Sequence, residues 1–358
     1  MCRSTKTLAI KHTTPSSIMT SLREYSMNIS EQEYHDYPAW SYSTIAKYAR
    51  NGFSAIATLH DKVKPTPEME FGSLFDSFIT KGKQTLNDYA VADFSVPPAE
   101  KGVLDYLATT STISHFDEVE MQDVLNAAET VGYQSKWKPQ TRYEKISNYS
   151  DYYDTLKSGK KLVSKADWDD AMEMYKVFRE DPYLKKLFGT KNTDEIEYIY
   201  QAQFKTTFNT GFEAIDVKIM PDLMVVNHKE KTIRLVDLKT SSMPAYDFPE
   251  HFVKMRYDIQ GELYTDVMKK IIADDEDYCS YTILPYLFVD ISRADMVPVT
   301  YEIDLSDGFS FTKGDKVYQY KGWKQLLVEI LAYEANDAKV PEYITTASSN
   351  DLIEILGR

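Results

Sequence analysis

At 358 residues, 43% hydrophobic and 27% charged, the chain has the composition of an ordinary soluble globular protein, long enough for one large domain or two smaller ones. A formal net charge of −14 excludes a surface that attracts nucleic acid everywhere, although a local basic groove stays open. Two cysteines, Cys2 and Cys279, are too few for a disulfide framework, a four-cysteine zinc site or an iron–sulfur cluster, and no run reaches the roughly 18 apolar residues of a membrane helix. We therefore expect a soluble, cytoplasmic chain with no membrane partner.

Residues 1–28 read as a disordered tail. The first 23 contain Arg3, Lys6, Lys11 and Arg23 and no Asp or Glu, a bias shared with transit peptides, but with little amphipathic pattern. Ser41-Tyr-Ser43 ahead of Ile45-Ala-Lys-Tyr-Ala49 predicts a hydroxyl-capped helix. Beyond the Lys64-Pro-Thr-Pro67 turn, Phe71, Phe75, Phe78 and Ile79 form a helical stripe that sets the Asp76 carboxylate beside a buried face. Residues 94–160 read as helices and exposed loops. Ser164-Lys-Ala-Asp167 resembles a capping box with Asp for Glu, opening a helix that Pro182 punctuates. Residues 195–226 read mostly as strands, with Gly211 in a turn. Helices follow at 257–272 and 321–333, with an apolar strand at 281–291 between them. Residues 301–358 are expected to be a helical extension, packed on the core or at a subunit contact.

The chemistry concentrates in Ile219-Met-Pro-Asp222-Leu-Met-Val-Val and Ile233-Arg-Leu-Val-Asp237-Leu-Lys239, separated by the polar, hairpin-length break Asn227-His-Lys-Glu-Lys231. Strand period two puts Leu235, Asp237 and Lys239 on one face, and pairing brings Asp222 close to Asp237. Pro221 cannot donate to a ladder and would end the pairing there. Two carboxylates and a lysine so placed suit phosphodiester hydrolysis with Mg²⁺, which prefers a few carboxylates, water and substrate oxygens. Asp222 and Asp237 would hold the metal, the Leu238 carbonyl could add an oxygen, and Lys239 would orient or help deprotonate the water and stabilise phosphate charge. An Asp-x-Lys triplet alone occurs by chance, and a solvated ion pair explains it equally well. Gln260 and Tyr264, one helical turn apart, add a second feature.

Pro221-Asp222, Asp237-Leu-Lys239 and Gln260-Gly-Glu-Leu-Tyr264, in this order, resemble the PD-(D/E)XK nuclease superfamily in its Gln-xxx-Tyr branch. Tyr34-His-Asp-Tyr-Pro-Ala-Trp-Ser41-Tyr-Ser43, Phe71-Gly72-Ser-Leu-Phe-Asp76 and the segment from Lys160 to Pro182 narrow the resemblance to RecE-type (exodeoxyribonuclease VIII-like) phage recombination exonucleases, over roughly residues 30 to 290. The resemblance implies an α/β fold with a central mixed β-sheet flanked by helices, and a restriction-endonuclease-like core over 29–300 with a helical N-terminal part. It implies a Mg²⁺-dependent deoxyribonuclease, with Mn²⁺ as a substitute, acting 5′-to-3′ on double-stranded DNA ends in recombination or repair. It also implies catalytic roles for Asp222, Asp237, Lys239, Gln260 and Tyr264, a homo-oligomer, a single-strand annealing protein as partner, and a bacterial host cytoplasm. The family commonly presents a metal-binding His where this chain has Asp76, itself a competent hard oxygen ligand, so the implied metal set is Asp76, Asp222, Asp237 and Leu238. Glu195, Glu197 and Glu213 are candidates for an upstream acidic ligand. An endonuclease or repair nuclease of the same superfamily, or a catalytically silent DNA-end-binding protein, are the alternatives. Lys157, Lys160, Lys161, Lys185 and Lys186 could touch backbone phosphates or form a solvated face, and His228 is expected to be exposed in the hairpin turn.

Overall fold

The computed structural model describes residues 22, 25–62, 64–91, 95–211, 213–305, 307–313 and 315–335. It comprises two compact units, Met1–Thr66 with Phe178–Arg358, and Pro67–Val177. The span 29–300 is therefore not one continuous unit: an independently packed segment interrupts it.

In the first unit, residues 25–28 are tied down, unlike the disordered tail expected there. Lys205 N–H donates to the Tyr25 carbonyl (2.9 Å) and Met27 N–H to that of Gln203 (3.1 Å), while Leu22 lies in the core. Residues 1–21, the rest of that expected tail with 23–24, lie outside the described residues. Helix α1 (Glu31–Asp36) opens with a complete Ser30/Glu33 capping box. Helix α2 (Tyr42–Asn51) buries Ile45, Ala46 and Tyr48; the Ser41 side chain at its N-cap makes no cap bond and lies 3.0 Å from the Ser43 hydroxyl instead.

The second unit holds α3 (Pro67–Lys81), α4 (Thr85–Asp88), β1 (Tyr89–Val91), α5 (Pro98–Thr110), α6 (Met121–Thr130), α7 (Pro139–Ser147), α8 (Ser150–Lys157) and β2 (Lys161–Val163), with β1 and β2 parallel. Val103, Leu104, Val124, Ile146 and Tyr153 centre a core of its own. Two of its lysines serve local structure: Lys157 donates to the carbonyls of Ala108 (3.2 Å) and Ser111 (2.8 Å), and Lys160 to that of Leu86 (3.0 Å). Helix α9 (Lys165–Glu180), within which the chain re-enters the first unit, is capped by Ser164, whose hydroxyl accepts from Asp167 N–H at 3.0 Å.

After α10 (Pro182–Leu187) come β3 (Ile196–Tyr200), the β4 (Phe204–Asn209) and β5 (Ala214–Ile219) hairpin, β6 (Leu223–Asn227), β7 (Thr232–Ser241), α11 (Phe248–Met255), α12 (Tyr257–Asp274), β8 (Thr282–Ile283), β9 (Tyr286–Ser292), β10 (Pro298–Ile303), the β11 (Phe309–Lys313) and β12 (Lys316–Tyr320) hairpin, and α13 (Trp323–Ala335). The fold is α/β, with a mixed six-stranded sheet of order β10-β9-β7-β6-β3 and β8 beside β7. Strand β7 runs parallel to β8 and β9, and antiparallel to β6. The strand expected over 281–291 is two strands on the same partner, broken at Leu284-Pro285, where proline has no N–H to give. The segment beyond 301 is likewise not all helical, since β10 and a hairpin precede α13; residues 336–358 lie outside the described residues.

Helix α12 lays Ile259, Leu263, Val267 and Met268 against the face formed by Met224, Val226, Ile233, Leu235, Tyr286 and Phe288, and α13 adds Trp323, Leu326, Leu327 and Ile330 to the same core. At about 1.5–3 kcal/mol for each large apolar side chain buried, this stripe fixes how α12 crosses the sheet. No described helix is long and apolar enough to cross a membrane.

Candidate active site

The site begins where the β6–β7 ladder stops. Its last pair on that side is Leu223 with Val236, and Pro221-Asp222 precedes β6 without joining a strand. Leu238, the next β7 residue whose backbone faces β6, is thus left without a ladder partner on that side, and its N–H donates to Asp222 Oδ2 at 2.6 Å. A residue's N–H and C=O point to the same side of a strand, so the Leu238 carbonyl also faces Asp222.

The Asp237 and Lys239 side chains, two residues apart on β7, project from the sheet face covered by α12. Lys239 Nζ lies 2.5 Å from Asp237 Oδ2. The carboxamide of Gln260 joins both, with Nε2 donating to Asp237 Oδ1 (2.5 Å) and Oε1 accepting from Lys239 (3.1 Å). Asp237 and Gln260 are buried, at 3% and 4% exposure. The Lys239 ammonium also sits over the Tyr257 ring (4.5 Å to its centre) and near that of Phe288 (5.7 Å). Burial, the largest single influence, opposes its charge, but the Asp237 carboxylate, the Tyr257 and Tyr42 hydroxyls and the Asp222 carboxylate together outweigh it and hold Lys239 above the ordinary lysine range. Lys239 is consequently an ammonium donor near neutral pH, suited to orienting a group or stabilising negative charge rather than to taking a proton.

Two turns of structure place Gln260. Arg256, in the left-handed region (φ 61°), joins α11 to α12, and its guanidinium pairs with Asp258 through Nε (3.0 Å) and Nη2 (2.9 Å) while Nη2 reaches the Lys321 carbonyl (2.7 Å). One turn beyond Gln260, Tyr264 is buried near Met220. Burial first, then the Asp237 and Asp222 carboxylates, push its hydroxyl well above the ordinary tyrosine range. It is a neutral group behind the carboxylates. Tyr42, whose hydroxyl donates to the Met255 carbonyl (3.0 Å), feels the Lys239 charge from α2.

Asp222, Asp237, Leu238, Lys239, Gln260 and Tyr264 are thus brought together. Asp76 lies half-buried on α3, in the second unit. Of the upstream acids, Glu195 is exposed near Lys229 (3.4 Å) and Glu213 is exposed at the β4–β5 turn. Glu197 is buried beside β6, opposite Val226 and away from Asp222, 3.9 Å from His228 Nε2. His228 is therefore half-buried rather than exposed, with Nδ1 2.9 Å from the Tyr281 hydroxyl. The sequence reading missed Asp290, which pairs in register with Lys239 across β7 and β9 and is 1% exposed. A lone acid inside the apolar run Leu287-Phe-Val-Asp290-Ile was the available signal.

The donor set is compatible with a hard cation. Asp237 Oδ2 has no hydrogen bond, only the neighbouring ammonium, and Asp222 and the Leu238 carbonyl face the same side. All are oxygens, which suits Mg²⁺ or Mn²⁺ over thiophilic metals. Among the described residues no three His, Cys, Asp or Glu side chains group to hold a metal, so a cation here would rest on two carboxylates and a carbonyl and keep waters. No protein-family model matches the chain, and no curated protein matches it.

Proposed function

We propose that this chain is a Mg²⁺-dependent deoxyribonuclease of the PD-(D/E)XK type, with a restriction-endonuclease-like core, acting as a 5′-to-3′ exonuclease on double-stranded DNA ends in recombination or repair. The observation that carries this reading is the Gln260 carboxamide joining Asp237 to Lys239 while Asp222 takes the Leu238 N–H. A solvated surface ion pair, the ordinary explanation of an Asp-x-Lys triplet, has no use for a buried amide satisfying both partners. A cation held by Asp222, Asp237 and the Leu238 carbonyl would neutralise phosphate charge and acidify a bound water. Lys239 would donate to that water or to the scissile phosphate, Gln260 would fix the orientation of Lys239 and Asp237, and Tyr264 would brace the carboxylates from behind. A homo-oligomer around the duplex and a single-strand annealing protein as companion belong to the same proposal; an acidic exterior with a locally basic channel would suit it.

The test is digestion of a linear duplex labelled separately at each 5′ and 3′ end, with Mg²⁺, with Mn²⁺ and with chelator. Early release of the 5′ label that chelator abolishes is the expected result. Early release of the 3′ label would reverse the polarity, and no release with either metal would leave a silent DNA-end-binding protein as the better reading.

A further inference from the structure

Asp290 is fully enclosed, yet neither of its carboxylate oxygens has a hydrogen-bond partner. A buried carboxylate without donors is unfavourable wherever it does not serve a partner. Its neighbours offer little. Val299 of β10 flanks it on one side, and the Tyr301 hydroxyl, whose ordinary range Asp290 helps to raise after burial, is given to the Ala245 carbonyl (3.1 Å). The Tyr257 hydroxyl lies 3.4 Å from His251 Nε2. Asp295 is itself an acid and accepts from Ala245 N–H (2.9 Å). Burial first, then Asp295, push the Asp290 carboxyl up to about 7, and Lys239 alone among its neighbours pulls it down.

On the last side stands Lys239 itself, its register partner on β7. Register partners on adjacent strands leave the same face about 5 Å apart. The ammonium now lies against Asp237 and Gln260, but a four-carbon stem can swing it across that spacing. We propose that Asp290 is a positioning residue for Lys239: the second seat of its ammonium, taken when the Asp237 carboxylate turns to a divalent cation. This rests on the metal-centred reading above. The move would keep two positive charges from competing for one carboxylate, while Lys239 stays within the site.

The test is a double-mutant cycle on Mn²⁺ affinity, measured by titration calorimetry without DNA, for the wild type, Asp290→Asn, Lys239→Ala and the double variant. In the Lys239 background, Asp290→Asn should weaken Mn²⁺ about tenfold, as loss of a supporting carboxylate commonly does. In the Lys239→Ala background, where no ammonium needs a seat, it should change affinity less than about twofold. Equal losses in both backgrounds would mean that Asp290 acts through its own charge, and no loss in either would mean that it does nothing for the cation; both overturn the proposal. Wild-type protein that binds no Mn²⁺ would defeat the metal-centred reading, and this proposal with it. Asp290→Ser serves as the second variant, with the same expectation, if Asn does not fold.

Discussion

Gln260 satisfies a carboxylate and an ammonium with one amide, and that single side chain separates a shaped site from an accidental ion pair. Gln260→Ala should therefore leave Asp237 and Lys239 in place but loosen both, reducing Mg²⁺-dependent digestion about 10²-fold, in the range seen when one preorganised donor is lost. Lys239→Ala and Asp237→Ala should lower it at least as far, with circular dichroism unchanged; unchanged digestion in either would remove these residues from the chemistry. Glu197 gives a prediction of another kind. Burial raises its carboxyl from an ordinary 4.5 to about 7, so between those values the folded protein binds more protons than the unfolded chain. Its contribution is intact below pH about 4.5 and is lost as pH rises through about 7. Glu197→Gln should match the wild type in urea denaturation at low pH and exceed it at pH ~8, by about 3 kcal/mol at most. An equal difference at both pH values would show that the carboxyl does not titrate across that window.

At the scale of elements, the site depends on how α12 is started and held. Arg256 and Asp258 are both buried, at 5% and 0% exposure, and pair across the α11–α12 junction. Removing one partner leaves the other charge uncompensated, so Arg256→Ala should cost about 3–5 kcal/mol, with the Arg256→Ala/Asp258→Ala pair costing less than the sum of the single changes. Strict additivity in denaturant midpoints would show that the pair is not coupled. Farther along, the Trp323 indole N–H donates to Asp266 (3.0 Å) and Gly308 N–H to Glu262 (2.7 Å), so two acids of α12 meet the start of α13 and the loop between β10 and β11. Glycine is needed in that loop: a Cβ on Gly308 (φ 88°) would stand 2.2 Å from the Tyr320 carbonyl oxygen. At Gly261 an added Cβ would come no closer than 3.6 Å to Tyr286. Gly261→Ala should accordingly stabilise the protein by about 0.5–1 kcal/mol, measurable by denaturation, because helical glycine carries an entropic cost that alanine does not.

At the scale of the whole molecule, the proposed preference for DNA ends makes a linear duplex the substrate and a covalently closed circle a poor one. Cutting of the circle at a comparable rate would favour an endonuclease of the same chemistry. The charge of −14 adds that any DNA contact must come from local basic surface, and raising salt should weaken it steeply. Much of this architecture was legible in the chain itself. Period two put Asp237 and Lys239 on one face, a polar break of hairpin length paired β6 with β7, and helical stripes marked α3, α9, α12 and α13, because these patterns depend only on neighbours close in sequence. The split into two units, the break at Pro285, the paired residues 25–28 and the enclosure of His228 and Glu197 were not legible, since each depends on which distant segment covers which face. The same holds at the site: the sequence supplied two carboxylates, a lysine and a glutamine, whereas only tertiary packing decided that Gln260 would reach Asp237 and Lys239 together and that Asp290 would lie beside them without a donor, because burial and register across strands are set by contacts between residues far apart along the chain.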